Sequence, residues 1–85
     1  MYALKISASA QKDLNRLSDS DFKLVDKRIQ ALANDPRPRG CVKLKGSKMD
    51  FYRVRQGSFR IIYQIFDTML VVNVIEVADR KEAYR

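Results

Sequence analysis

Histidine is absent from this chain of 85 residues, and cysteine occurs once. Without histidine, Ser-His-Asp and Cys-His catalysis are excluded, as are metal sites built on histidine ligands. The single Cys41 has no partner for an internal disulfide and suits a reducing cytoplasm. We therefore expect Cys41 to be a small, partly buried apolar residue rather than a nucleophile.

Long apolar runs are also missing. The N-terminal stretch MYALKISASAQKDL contains none, so no signal peptide is expected. The longest apolar run, MLVVNVI, is far too short to span a bilayer. An apolar fraction of 46% is nevertheless normal for a folded chain. The sequence predicts one soluble, cytoplasmic domain over residues 1–85.

Acidic residues are scarce in the middle third of the chain. The formal net charge is +7, and residues 36–66 contain eight basic side chains but only one acid, Asp50. Residues 1–35 carry a net charge of +1 and residues 67–85 a net charge of −1. The excess therefore predicts a localised basic surface, which favours a polyanionic partner such as nucleic acid.

The first half of the chain has the pattern of one strand and two helices. Alternating apolar residues predict a strand over Tyr2–Ile6. Ser7 and Ser9 offer N-caps for a helix over Ala8–Leu17. A second cap, at Ser18–Asp21, begins a helix that should end by Asp35, because a proline follows. One apolar stripe runs along it: Phe22, Val25, Ile29 and Leu32.

The second half reads as three consecutive strands. They are predicted over Phe51–Arg55, Ser58–Phe66 and Met69–Val77, joined by turns short enough for antiparallel hairpins. The last strand is apolar on both faces, which argues for a covered, central position. The predicted fold class is α+β, in the order β-αα-βββ with a short C-terminal tail.

Arginine follows the strand period. Arg53 and Arg55 point to one face of their strand, and Arg60 on the next strand can share it. Three guanidiniums repel one another unless an anion such as phosphate lies between them. The alternative is an ordinary solvated sheet face.

The stretch YRVRQGSFRIIYQIFDTMLVVNVIEVADRKEAYR resembles the C-terminal half of RelE-type toxins. Their pattern is Tyr-Lys/Arg-x-Lys/Arg, then Gly-x-Tyr/Phe-Arg-x-x-Tyr, an acidic turn, a Val-rich strand and Arg-x-x-x-Tyr. A Ser-containing cap, a Leu-x-x-Leu helix and Leu44-Lys45-Gly46 match upstream. The resemblance, to the RelE/ParE superfamily, covers nearly the whole chain.

The resemblance implies a fold and an activity. RelE-like toxins have two N-terminal helices on one face of a twisted antiparallel sheet and a basic site on the other, and a short helical turn is expected at the C-terminus. They cleave mRNA, often in the ribosomal A site, by attack of the 2′-OH on the adjacent phosphate, and an antitoxin neutralises them. By match, Arg53 and Arg55 replace catalytic or RNA-binding lysines, and Arg60 is the arginine that stabilises the strained phosphate. Arg80 matches the tail arginine, and Tyr84 matches the tail tyrosine that stacks on or positions the nucleotide.

That reaction requires charge neutralisation and a proton acceptor but no metal or other cofactor in principle. Arginine stays protonated, so Arg53 and Arg55 do not supply the acceptor. The first candidate is Tyr84, provided that neighbouring arginines help it to ionise. The others are Asp79, Glu76, or no protein group. The remaining basic residues are expected to form an RNA-binding fringe: Arg37, Arg39, Lys43, Lys45 and Lys48.

Three alternatives stay open at this point. On the same fold, ParE-like members inhibit DNA gyrase instead of cleaving RNA. A non-enzymatic RNA- or ribosome-binding module would use the same basic face. Taken by itself, the segment containing Arg80 and Tyr84 is more typical of a frayed, charged tail. An acidic antitoxin is the expected protein partner, because apolar surface is left over in so short a chain.

Overall fold

A computed structural model describes residues 1–44 and 50–79 of the chain. It contains two helices and a five-stranded sheet, which confirms the α+β class. Strands and helices follow in the order β1 (Ala3–Ile6), α1 (Ala8–Asn15), α2 (Asp19–Ala31), β2 (Val42–Leu44), β3 (Phe51–Gln56), β4 (Phe59–Phe66) and β5 (Val71–Asp79). Neither described helix is long and apolar enough to cross a membrane. The predicted C-terminal helical turn lies outside the described residues.

Serine hydroxyls begin both helices, as predicted. Ser7 Oγ accepts a hydrogen bond from the Ala10 amide at 3.0 Å, and Ser18 Oγ accepts one from the Asp21 amide at 3.2 Å. Helix α1 ends two residues earlier than predicted, whereas α2 ends before Asp35, as predicted. Helix α1 closes in a tight turn after Asn15, and α2 gives way to turns after Ala31. The Tyr2 amide then donates to the Ala33 carbonyl at 2.8 Å, which ties this exit segment to the start of β1.

The sheet has the strand order β1-β5-β4-β3-β2. The predicted β3-β4 and β4-β5 hairpins are present and antiparallel. Two details differ from the prediction of a four-stranded antiparallel sheet. Strand β1 lies parallel to β5, so the sheet is mixed, and β2 adds a fifth strand that is too short for alternation to be visible in the sequence. Strand β5 starts at Val71, because residues 67–70 form a longer turn in which Leu70 has a φ of 53°.

The core lies between the helices and one face of the sheet. Val25, Ile29 and Leu32 of the predicted stripe are buried there, whereas Phe22 is 39% exposed and lies outside the core. The sheet contributes alternate residues from its strands: Tyr52, Val54, Phe59, Ile61, Tyr63, Ile65, Val72, Val74 and Val77. Strand β5 was predicted to be central and covered. It is paired on both sides only along residues 71–74, and the central strand of the sheet is β4. The opposite face of the sheet carries no helix of the described chain.

Candidate functional site

Three arginines share the sheet face that is turned away from the helices. Arg55 lies directly opposite Arg60 in the β3-β4 ladder, and Arg53 lies opposite Ile62. Directly opposed residues in a ladder project from the same face, so this register places all three side chains together. Because like charges at such spacing repel, the arrangement favours an anion between them.

Two of these arginines line a shallow groove of about 380 Å³ across strands β2 to β5. Ile62, only 9% exposed, forms part of its floor. Arg53 and Arg60 supply the positive charge, and Glu76 supplies the only carboxylate that lines it in the described part of the chain. The remaining lining residues are apolar: Leu44, Phe51 and Ile75. We call this surface the arginine groove.

A β-bulge in β5 brings Glu76 into the arginine groove. Val74 pairs with Tyr63, but Ile62 pairs with Glu76, so Ile75 is an extra residue in the ladder. An inserted residue reverses the alternation that follows it. Val77 therefore points into the core, where it is 5% exposed, and Glu76 points into the groove. Without the bulge, Glu76 would share the helix face with Val74.

The same reversal removes Asp79 from the groove. Asp79 pairs with Phe59, whose side chain lies in the core, and it lines a separate polar hollow with Asp13 near the junction of α1 and α2. Asp79 and Glu76 were the two carboxylates among the candidates for a proton acceptor, after Tyr84, which lies outside the described residues. Of the two, the structure places only Glu76 beside the arginines.

Helix α1 holds the bulged edge of β5. The Val77 amide donates to Asp13 Oδ2 at 2.9 Å, and Ser7 Oγ donates to the Ile75 carbonyl at 3.2 Å. Strand β1 ends at Ile6, so these side chains satisfy backbone groups that the ladder no longer reaches. Sequence reasoning missed this role of Asp13. The sequence signal for the bulge itself was the spacing of Asn73 and Glu76, because two polar residues three apart on one sheet face require an inserted residue between them.

Arg60 is only weakly paired. Its Nε atom is buried and has no hydrogen-bond partner among the described residues. One terminal nitrogen lies 4.0 Å from a carboxylate oxygen of Glu76, and the two side chains are 37% and 51% exposed. An exposed ion pair at that distance contributes little to stability. Arg60 therefore keeps donor capacity for a ligand.

Arg37, predicted as an RNA contact, is engaged elsewhere. Its two terminal nitrogens donate to both carboxylate oxygens of Asp67, at 3.2 and 2.9 Å, and its guanidinium lies 5.3 Å from the Tyr52 ring centre. Tyr2 donates to the same carboxylate at 2.6 Å. Hydrogen bonds from Arg37, and then from Tyr2, lower the pKa of Asp67 to about 2. Tyr52 faces the helices, so this cluster, which we call the Asp67 clamp, lies away from the arginine groove.

The other predicted fringe residues are scattered. Lys43 pairs with Tyr52 in the ladder, so it shares the helix face, and its amine lies 3.3 Å from Asp50. Arg39 is exposed in the loop that leads to β2. Arg80, Tyr84, Lys45 and Lys48 lie outside the described residues.

Cys41 is partly buried beside a buried tyrosine. The Tyr63 hydroxyl approaches its sulfur at 3.3 Å and donates to the Pro36 carbonyl at 2.7 Å. Burial, followed by the hydrogen bond to Cys41, raises the pKa of the Tyr63 phenol. These contacts secure the loop after α2 against the sheet, in keeping with the packing role expected of Cys41.

Comparison with known proteins gives a consistent family. A family model described as "ParE toxin of type II toxin-antitoxin system, parDE" matches residues 4–84. A putative toxin RelE1 from Methanocaldococcus jannaschii is 30% identical, with 99% of this chain and 96% of that protein covered. Toxin RelE from Mycobacterium tuberculosis is 31% identical, with 99% and 87% covered.

Solved structures show the same fold. The archaeal RelE-RelB complex from Pyrococcus horikoshii contains a chain that matches with a TM-score of 0.82 at 28% identity, over 93% of this chain and 94% of the other. The isolated RelE toxin from Escherichia coli matches with a TM-score of 0.79 at 27% identity, over 99% and 92%. The chain therefore belongs to the RelE/ParE superfamily, the toxins of type II toxin–antitoxin systems.

Proposed function

We propose that this toxin is a metal-independent endoribonuclease that cleaves ribosome-bound mRNA at the A site and so inhibits translation. The observation that carries the proposal is Arg60. Its buried Nε has no partner among the described residues, and it stands in a groove beside Arg53 and opposite Arg55. The Arg60 side chain is 37% exposed and one terminal nitrogen reaches the Glu76 carboxylate only at 4.0 Å, so the guanidinium keeps donors that a phosphate can use.

The residue types fit attack by the ribose 2′-OH on the adjacent phosphate. The transition state gathers negative charge on the phosphorus oxygens, and Arg53, Arg55 and Arg60 would stabilise that charge. Apolar residues on the groove wall, Leu44 and Phe51, offer surface for a base to pack against. The RNA supplies its own nucleophile, so the protein needs to provide positioning, charge stabilisation and proton transfer.

The rest of the predicted RNA contacts belong to the same proposal. Arg80 would bind the phosphate together with Arg60, and Tyr84 would stack on or orient the nucleotide. Lys45, Lys48 and Arg39 would contact flanking phosphates. Arg37 and Lys43 have carboxylate partners in Asp67 and Asp50, so a contribution from them requires exchange of those partners.

The proposed protein partner is an acidic antitoxin. The Pyrococcus horikoshii neighbour was solved as a complex of RelE with RelB, and the present chain carries a net charge of +7. An acidic partner would neutralise that charge and compete with RNA. The toxin would act in the cytoplasm, where its mRNA substrate lies.

Primer extension on mRNA from cells that briefly express the toxin tests the proposal. Cuts at codon-phased positions are expected with the wild type and should be absent with Arg60→Ala and Tyr84→Ala. An inactive toxin that still binds ribosomes would point to a non-enzymatic RNA-binding module. Intact mRNA in growth-arrested cells would remove the RNase proposal.

A second candidate is inhibition of DNA gyrase, which is favoured by the family model, since its description names ParE. Supercoiling by purified gyrase, with and without the purified toxin, tests this candidate directly. Loss of supercoiling together with intact mRNA would establish it. Unchanged supercoiling together with phased mRNA cuts would establish the RNase.

A further inference from the structure

The RNase proposal leaves the proton acceptor for the 2′-OH unassigned. Arginines do not accept protons near neutral pH, so Arg53, Arg55 and Arg60 are excluded. Asp79 faces the helices, Asp67 belongs to the clamp, and Asp50 is paired with Lys43. Tyr84, the first candidate from the sequence, lies outside the described residues. Glu76 is the one carboxylate among the described residues that line the arginine groove.

We propose that Glu76 is the general base of the toxin, an inference that rests on the proposed RNase function. Its carboxylate oxygen lies 4.0 Å from a terminal nitrogen of Arg60. A ribose 2′ oxygen and the phosphate that it attacks lie roughly 3 Å apart at reaction distance. A base and a phosphate-binding arginine must therefore be close neighbours, and Glu76 and Arg60 meet that requirement. At 51% exposure the carboxylate is accessible to a substrate in the groove.

The β-bulge in β5 directs Glu76 into the arginine groove. Regular alternation in β5 would turn Glu76 toward the helices, and the extra residue Ile75 turns it into the groove. Bulges beside functional sites commonly re-aim a side chain in this way. Two hydrogen bonds from α1, through Asp13 and Ser7, hold the bulged backbone. These contacts therefore fix the backbone position from which the Glu76 side chain enters the groove.

The 2′-O–H bond breaks and its proton passes to the Glu76 carboxylate, while the 2′ oxygen forms a bond to phosphorus. The bond from phosphorus to the 5′ oxygen then breaks, and a water molecule gives this oxygen a proton. The hydroxide that is left takes the proton from Glu76, which restores the carboxylate. The products are a 2′,3′-cyclic phosphate and a 5′-OH end. Arg60 and Arg53 hold the phosphate oxygens throughout, and no oxidant or metal is consumed.

A comparison of Glu76→Gln with the wild type tests the assignment. Purified toxin is added in excess to ribosomes programmed with a defined mRNA, and the single-turnover cleavage rate is measured. Binding is measured separately on the same mRNA with a 2′-deoxy substitution at the cut site, which cannot react. Asp26→Asn on α2 is the matched control, since it removes one negative charge outside the groove and keeps an acceptor for Gln30. Thermal unfolding shows that each variant is folded.

We expect Glu76→Gln to cleave ~10²–10⁴-fold more slowly while binding the 2′-deoxy mRNA at least as tightly. Glu76→Asp should recover part of the rate, because it restores a carboxylate at shorter reach. An unchanged rate in Glu76→Gln overturns the assignment. So does a rate that rises with tighter binding, since Glu76 would then merely compete with the phosphate for Arg60. A loss of binding as large as the loss of rate also overturns it. If the wild type itself leaves mRNA intact, the RNase function fails, and this outcome is distinct from all of these.

Discussion

Arg37 and Arg60 are the same residue type in the same basic third of the chain, yet their surroundings are opposite. Arg37 gives both terminal nitrogens to Asp67 and lies over Tyr52. The Nε atom of Arg60 is buried and has no hydrogen-bond partner among the described residues. One terminal nitrogen of Arg60 reaches a carboxylate oxygen of Glu76 only at 4.0 Å. The first arginine connects the loop after α2 to the β4-β5 turn, whereas the second retains its donors.

An unpartnered nitrogen is not sufficient evidence of a ligand site. Arg28 on α2 also has a buried Nε without a partner in the described chain, and it lines a hollow with Leu24, Lys27, Ala31 and Gln56. Arg60 differs because Arg53 and Arg55 share its face of the sheet. Convergence of unmatched guanidiniums, rather than one unmet donor, therefore distinguishes a site for a polyanion from a packing arginine.

The largest effect is expected from the matched variants Arg60→Met and Arg37→Met, which remove each guanidinium but keep an apolar stem. Arg60→Met should lower the single-turnover cleavage rate by ~10²–10³-fold. It should leave the melting temperature unchanged or higher, because a buried unsatisfied donor is removed. Arg37→Met should lower the melting temperature instead and cost much less in rate. Equal loss of rate in both would end the distinction between the two arginines.

A smaller effect is expected where α1 holds the bulge. Asp13→Ala leaves the Val77 amide without its acceptor, which should lower the free energy of unfolding by ~1–3 kcal/mol. The bulge would also be less well fixed, so Glu76 would be less well positioned and the cleavage rate should fall. Asp13→Asn keeps an oxygen acceptor and should retain most of the stability. Chemical denaturation and the cleavage assay check these two expectations. An Asp13→Ala variant with the stability and the cleavage rate of the wild type would contradict them.

Local rules were sufficient for much of this fold. Ser7 and Ser18 were readable as helix caps, and the turns after Arg55 and Phe66 were readable as hairpins, because each signal lies within a few residues. The parallel pairing of β1 with β5 joins residues about 68 positions apart and left no local signature. The order of the five strands in the sheet could therefore not be predicted from the sequence.

The candidate site divides in the same way. The shared face of Arg53, Arg55 and Arg60 follows from strand parity and hairpin register, both of which the sequence contains. The choice between Glu76 and Asp79 depends on one extra residue in β5, and a bulge changes every side-chain direction after it. The partner of Arg37 was likewise hidden, since the Asp67 clamp joins residues 30 positions apart through a turn.

A smaller effect again is expected at Tyr63, which holds the loop after α2 that contains Arg37. Tyr63→Phe removes the hydroxyl that donates to the Pro36 carbonyl at 2.7 Å, next to the clamp. We expect the free energy of unfolding to fall by ~0.5–1.5 kcal/mol, the usual contribution of one such hydrogen bond. The cleavage rate should stay within about twofold of the wild type, because Tyr63 faces the core. A rate that falls much further would show that the two faces of the sheet are coupled.

The smallest effect should come from Asp67→Asn, and its sign depends on pH. The carboxylate has a folded-state pKa of about 2, below its value in an unfolded chain, because Arg37 and Tyr2 donate to it. A lowered carboxylate pKa adds stability above the unfolded-state value, near pH ~4, and the contribution disappears as the pH falls toward 2. The asparagine keeps an oxygen that accepts from Tyr2 and Arg37 but loses the charge. Its melting temperature should therefore lie slightly below that of the wild type at pH 6, and this difference in melting temperature should close between pH ~4 and ~2.

The exposed clamp is screened by solvent, so 1 M salt should narrow the difference in melting temperature at pH 6 as well. A gap that persists unchanged at pH 2 would mean that packing on Tyr52, rather than the ion pair, holds Arg37 away from the groove.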